Sequence, residues 1–401
     1  MLTFDFDSVI PRAGTASVKY DGAVATFGSA ELIPMWVADM DFAVPEAITR
    51  ALLERAAHPI YGYTLYPDSM FEALSFWMKK RHGWEIEREW ILMCPGVVTA
   101  LHATVMAVTQ PGEAVIVQSP VYAPFYSCVT TTGRRLVLNP LKLEHGRYAI
   151  DFVHLEQCAA AGARLLLLCS PHNPVGRVWA RDELERILDI ARRYDLVVLA
   201  DEIHADLVYP GTKIHPGTGH TALATLATDG DAIITAVAPS KTFNIPGLGL
   251  SALIVPNSAQ RAALRKVFDQ LHVQACNPFS ITAFEAAYRE GEPWLEGLLA
   301  YLQDTRDFVR DYLPSHLPGI HLIEPEGTYL LWLDCRSLGM DDEELKNFFV
   351  QEAKVGLSPG TIFGMGGSGF MRMNIGTPRR IVATALEQIK CALEARHCTS
   401  A

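Results

Sequence analysis

Between about residue 90 and residue 255, short uninterrupted apolar runs alternate with helical patterns, and this alternation restricts the fold more than any other feature of the chain. The runs are Ala114–Gln118, Arg164–Cys169, Leu196–Asp201 and Ala232–Val237. A strand that is apolar at every position is buried on both faces. Such strands separated by helices form a mostly parallel sheet flanked by helices. Helical periodicity is read at about 67–83, 97–109 and 181–193, the last with its apolar residues on one face. The fold class is therefore α/β for the larger part of the chain.

After about residue 285 the pattern changes to a long helical stretch, strands near 319–324, 328–334 and 369–375, and a closing helix near 379–396, a smaller α+β unit. The first 45 residues lack strong periodicity and are expected to pack on that smaller unit, with Pro45 suited to the first position of a helix. The expected organisation is a large domain over 46–285 and a small domain built from 1–45 and 286–401.

The chain has 401 residues, 49% hydrophobic and 20% charged, enough apolar material to bury an active site. A net charge of -11 with scattered Lys and Arg offers no footprint for nucleic acid or an anionic membrane. Chemistry on small molecules is the default. The first residues carry acid where a signal peptide carries base, and no stretch approaches the roughly 18 to 20 apolar residues of a membrane span, so the expectation is a cytoplasmic protein. The eight cysteines contain no C-x-x-C pair and read as reduced thiols, Cys94 and Cys169 as small core residues.

Open parallel sheets bind ligands beyond the carboxyl ends of their strands. There the chain places Ser119-Pro-Val-Tyr122, Ser170-Pro-His-Asn-Pro-Val-Gly176, Asp201-Glu-Ile-His204 and Ala238-Pro-Ser-Lys-Thr-Phe-Asn244. A pyridoxal 5'-phosphate (PLP) site needs an amine, a carboxylate against the pyridine nitrogen, a donor to the ring oxygen, a stacking ring and an anion site. Lys241 is the candidate amine, since burial favours its neutral, nucleophilic form; the alternative is a solvated loop lysine. Asp201 closes an apolar strand, where a charge needs a cationic partner such as a pyridinium, unless it caps a turn. Asn173 would donate to the ring oxygen and Tyr122 would stack, or each is a turn or core residue. Gly96, Val97 and Val98 open a helix whose free N–H groups suit a phosphate. Arg372, in the apolar run Gly369–Ile375, needs an anion: a substrate α-carboxylate, or an internal Asp or Glu.

At these residues the chain resembles fold-type I PLP enzymes of the class I/II aminotransferase superfamily, more narrowly the MalY/PatB group of cystathionine β-lyase-like C–S lyases. The resemblance spans nearly the whole length and rests on Met35-Trp-Val-Ala-Asp-Met-Asp-Phe42, Tyr61-Gly-Tyr-Thr64, Ser119–Tyr122, Ser170–Arg177, Ala200–His204 and Pro239–Asn244. It implies that Lys241 is the Schiff-base lysine, Asp201 the pyridinium partner, Asn173 the ring-oxygen donor, Tyr122 the stacking ring and Arg372 the carboxylate clamp. It also implies a homodimer in which Tyr63 reaches the phosphate site of the partner subunit, with Ser240 and the backbone after Gly96 completing that site. The chain departs from the wider superfamily in having no Lys or Arg over 242–260, where many aminotransferases place a phosphate-binding arginine. Gly376-Thr-Pro-Arg379 is a second departure, from which no functional change follows.

The expected reaction is β-elimination from a small amino acid, an L-cysteine S-conjugate such as cystathionine, to a thiol, pyruvate and ammonia, with freed Lys241 removing the α-proton. An aminotransferase would use the same residues, and pocket shape would decide between them. A PLP-binding regulator is a further alternative, although enzyme-like domains fill the length and leave no room for an appended helix-turn-helix module. A metal site from Asp201, Glu202 and His204 is disfavoured because neighbouring strand residues alternate faces; His215 and His220 do not rescue it.

Overall fold

The computed structural model describes residues 4–210, 219–228, 230–274 and 276–399; His215 lies outside them. The apolar runs form a seven-stranded sheet of β1 (Ile91–Cys94), β2 (Ala114–Val117), β3 (Arg135–Leu138), β4 (Ala163–Cys169), β5 (Val197–Asp201), β6 (Ile233–Val237) and β7 (Ser251–Ile254), in the order β1-β7-β6-β5-β4-β2-β3. Only β7 runs against the rest. The strands β2, β5, β6 and β7 carry almost no exposed side chain, as continuous apolar runs require. The sequence pattern located four of these strands. It missed β1, β3 and β7.

The helices follow the 3.6-residue pattern closely. Expected helices appear as α2 (Asp68–His82), α3 (Val97–Val108) and α4 (Arg181–Arg193), preceded by α1 (Glu46–Ala57). In α4, Leu184, Ile187, Leu188 and Ala191 line the buried face, and Glu183 accepts from the Ala180 N–H at the helix start. Pro45 stands one residue before α1 rather than inside it, its ψ of 134° still extended. Beyond α5 (Pro278–Glu290) and the 25-residue α6 (Glu292–His316), the chain forms an antiparallel sheet of β8 (His321–Ile323), β9 (Leu330–Asp334), β10 (Ser358–Pro359) and β11 (Phe370–Asn374), ordered β8-β9-β11-β10, and closes with α7 (Arg379–Thr399). Among the described residues no helix is long and apolar enough to cross a membrane.

The two sheets share packing. Trp332 of β9 stacks on Phe370 of β11 at 5.1 Å, and both join the buried cluster under β4 and α4. The loop between β8 and β9 enters the large sheet's side: Glu326 accepts from Arg177 Nε (3.1 Å), Arg147 Nε (3.0 Å) and the Val178 N–H (2.7 Å). Gly176, at φ 72°, lets that loop approach; a Cβ there would lie 2.8 Å from Pro325 Cβ.

The early segment packs on the smaller sheet's unit as expected. Ile33–Pro34 pairs in parallel with Val355–Gly356, and Phe6 meets Trp294 of α6 edge-on at 5.7 Å. It also does something the sequence pattern did not indicate: residues 36–42 cross to the large sheet, where Asn244 holds Met40 and Phe42.

Arg177 and Glu326 are both buried, and without Glu326 the Arg177 guanidinium keeps Glu183 while its Nε and the Val178 N–H lose their acceptor. Glu326→Ala is expected to lower unfolding free energy by about 1–3 kcal/mol, measured by urea denaturation.

Candidate active site

All parallel strands deliver their carboxyl ends to one edge of the sheet, and the candidate residues stand there because each follows such a strand. β5 ends in Asp201, level with Cys169 of β4 and Ala236 of β6. β6 runs into the helical turn Pro239–Thr242, which carries Ser240 and Lys241. Asn173 follows β4, Tyr122 follows β2, and Gly96, Val97 and Val98 lead from β1 into α3. Arg372 comes from the middle of β11 in the smaller sheet.

Lys241 is mostly buried, and its Nζ donates to the carbonyl oxygen of Ala38 at 2.6 Å. Burial, reinforced by the positive charge of Arg372, brings its pKa down to about 8. Asp201 is buried with one hydrogen bond, from the Ile203 N–H (3.1 Å), and burial pushes its carboxyl up to about 7. No ion pair relieves it among the described residues.

Arg372 is equally buried. Its guanidinium donates to Asn173 Oδ1 (3.0 Å), to the Trp36 carbonyl (2.7 Å) and more weakly to Ser358 Oγ (3.4 Å), while its Nε has no hydrogen-bond partner among the described residues. Burial lowers its pKa to about 10. The internal carboxylate weighed as its partner is absent among the described residues. Because Asn173 accepts through Oδ1, its Nδ2 hydrogens point elsewhere and remain able to donate. Tyr122 is 40% exposed, donates its backbone N–H to the Asn173 carbonyl (3.2 Å), and feels the charges of Arg372 and Asp201.

Two candidates stand differently. Tyr63 is fully exposed, and no side-chain hydrogen bond joins it to this cluster. A Cβ built on Gly96 meets no protein atom within 4 Å, so nothing in the fold demands glycine there. The metal trio disfavoured from the sequence does not assemble among the described residues: Glu202 turns to His220 at 3.0 Å and accepts from the Leu223 N–H, away from Asp201.

These observations meet comparisons with known proteins. The model of the aminotransferase class I and II family matches residues 30–389. The chain belongs to that family. It is 43% identical over 391 residues, 97% of its own length and all of the relative's, to the cystathionine beta-lyase PatB of Bacillus subtilis. Among solved structures it resembles cystalysin from Treponema denticola, which contains a pyridoxal 5'-phosphate cofactor (TM-score 0.94, 35% identity, 98% and 100% of the two chains covered). It also resembles the PLP-bound C–S lyase from Staphylococcus hominis (TM-score 0.90, 33% identity, 98% of each chain).

For this aminotransferase-class chain, the sequence reading missed two parts of the site. One is the backbone of residues 36–38, which carries no chemical signature although Trp36 and Ala38 supply carbonyls to both site cations. The other is His204. It is buried, its Nδ1 lacks a partner among the described residues, and its ring centroid lies 6.3 Å from that of Tyr329. Burial first, then the charges of Lys241 and Arg372, lowers its pKa to about 3, so it stays neutral. Its place three residues after Asp201 was visible in the sequence, but only the fold shows that it is enclosed with the two cations.

The pH dependence has a definite sign. Lys241 is charged more readily unfolded (10.5) than folded (about 8), so it destabilises the fold below pH 8, and that cost disappears as pH rises through 10.5. In protein freed of any cofactor, Lys241→Met should therefore be more stable than the parent at pH 7. The margin should shrink between pH 8 and 10.5 in parallel urea titrations.

Proposed function

We propose that this chain is a PLP-dependent C–S β-lyase, cleaving L-cystathionine or related L-cysteine S-conjugates to a thiol, pyruvate and ammonia. The observation that carries the reading is that Asp201, Lys241 and Arg372 are gathered out of water with no ion pair to any of them among the described residues. PLP and an amino-acid substrate together provide the missing partners: a pyridinium for Asp201, a carbonyl carbon for Lys241 and a carboxylate for Arg372. The names of the relatives point the same way.

In this reading Lys241 would hold the cofactor and Asp201 would partner its ring nitrogen. Asn173 would donate Nδ2 to the ring oxygen, and Tyr122 would stack on the ring. The N–H groups of Val97 and Val98 and the Ser240 hydroxyl would hold the phosphate, where a Cβ on Gly96 would meet no protein atom within 4 Å. When bound, PLP supplies the electron sink for the pair released at Cα.

The residues of the chain do the rest. Arg372 fixes the substrate α-carboxylate, which orients the Cα–H bond. With its amine free, Lys241 would take the α-proton at Nζ, and a pKa of about 8 leaves it a fraction of free base near neutral pH. The C–S bond then breaks at Cβ, the sulfur leaving with both electrons as a thiolate. The released three-carbon enamine hydrolyses to pyruvate and ammonia.

The organisation we propose is a cytoplasmic homodimer, with a large domain over 46–285 and a small one from 1–45 and 286–401. The exposed side chains of Ile60, Tyr61, Tyr63 and Leu65 support a partner at that surface, with Tyr63 completing the phosphate site of the partner subunit.

Purified protein loaded with PLP and given L-cystathionine should yield pyruvate and free thiol without added α-keto acid. Turnover that requires a keto acid would instead mark an aminotransferase. Lys241→Ala should abolish turnover and the absorbance of the lysine-bound cofactor; full activity in that variant would overturn the assignment.

A further inference from the structure

Residues 36–42 form a strap without repetitive structure, and side chains rather than a ladder set its register. Five carbonyls in succession are engaged: Trp36 by Arg372 (2.7 Å), Val37 by Asn374 Nδ2 (2.6 Å), Ala38 by Lys241 (2.6 Å) and Tyr329 (3.0 Å), Asp39 by Asn374 Nδ2 (2.7 Å), and Met40 by Asn244 Nδ2 (2.9 Å). Asn244 and Asn374 stand three and two residues from Lys241 and Arg372. The strap is thus the common rail against which both site cations are placed, one from each sheet's unit.

What holds the rail from behind is ionic. The carboxylate of Asp39 takes a two-pronged bond from the Arg12 guanidinium (2.9 and 2.7 Å), and Asp41 receives Arg12 at 2.7 Å and Lys19 Nζ at 2.8 Å. The Lys19 side chain is wholly buried, and its backbone carbonyl also accepts from Trp36 Nε1 (2.9 Å). A buried ion network stabilises a fold no better than apolar packing would, but leaving any one member unpaired is costly, which favours the arrangement that pairs them all.

We propose that Arg12 and Lys19 are positioning residues for substrate-carboxylate capture: through Asp39 and Asp41 they fix the strap that spaces Lys241 from Arg372. Neither residue touches the site, so they act only through the strap. The inference rests on the function proposed above for Lys241 and Arg372.

The test uses PLP-loaded protein and two variants. Arg12→Gln removes the partly exposed end of the network. The double variant Lys19→Met, Asp41→Asn removes the buried pair without leaving a charge behind. The readouts are the dissociation constant of L-alanine, which carries the amine and carboxylate but no leaving group, from the change in cofactor absorbance, and kcat and KM for L-cystathionine. We expect the alanine constant and KM to rise at least about tenfold in both variants, kcat to change by less than about threefold, and Arg12→Lys to recover most of the loss. Constants within about twofold of the parent in Arg12→Gln would overturn the proposal even where the double variant fails to fold. Parent protein that binds alanine but does not cleave cystathionine would sink the lyase reading while leaving the positioning role measurable.

Discussion

Three ionisable side chains held out of water without an ion pair among the described residues set the terms for the rest of the molecule. A lone buried charge is costly enough that a protein ordinarily pairs it or removes it. Asp201, Lys241 and Arg372 are kept instead by neutral partners: a single backbone N–H, a backbone carbonyl, and an amide with another carbonyl. Those partners are too weak to cancel the charge, and the shifts of all three groups toward their neutral forms express what remains. The site is therefore poised to bind a ligand that carries the complementary charges.

The contrast with other buried charges in the chain makes the point. Asp206 is also enclosed, yet it accepts from Trp77 Nε1 (3.0 Å), His82 Nε2 (2.9 Å) and Thr242 Oγ1 (2.9 Å), and so steadies the turn that carries Lys241. Glu326 is likewise surrounded by donors and joins the two sheets. Charges with full sets of partners hold the frame, and charges without them stand where the frame converges. The strap of residues 36–42 belongs to both groups, since its carboxylates are satisfied by Arg12 and Lys19 while the carbonyls of Trp36 and Ala38 meet the site cations.

Much of this was legible in the residues. Asp201, Lys241, Asn173 and Tyr122 each follow an apolar run, and the rule that parallel strands end at a common edge collects them without further information. Arg372 was conspicuous as a guanidinium in an apolar strand. His204 and the carbonyls of Trp36 and Ala38 were not legible in the same way. A histidine near a strand end has many uses, and a backbone carbonyl has no residue type to announce it. The antiparallel direction of β7 escaped for a related reason, because a short run such as Ser-Ala-Leu-Ile looks the same whichever way the strand runs.

Local patterning by itself determined the α/β class, the main helices and strands, and the residues able to hold charge at the strand ends, because periodicity and strand burial are written in neighbouring positions. Only the tertiary structure decided that the segment 36–42 crosses to the large sheet, that Arg12 and Lys19 lock it there, and that Arg372 reaches Asn173 without a carboxylate. These are contacts between positions up to 204 residues apart, and a charge buried by distant chain acquires its pKa from surroundings that no local pattern contains.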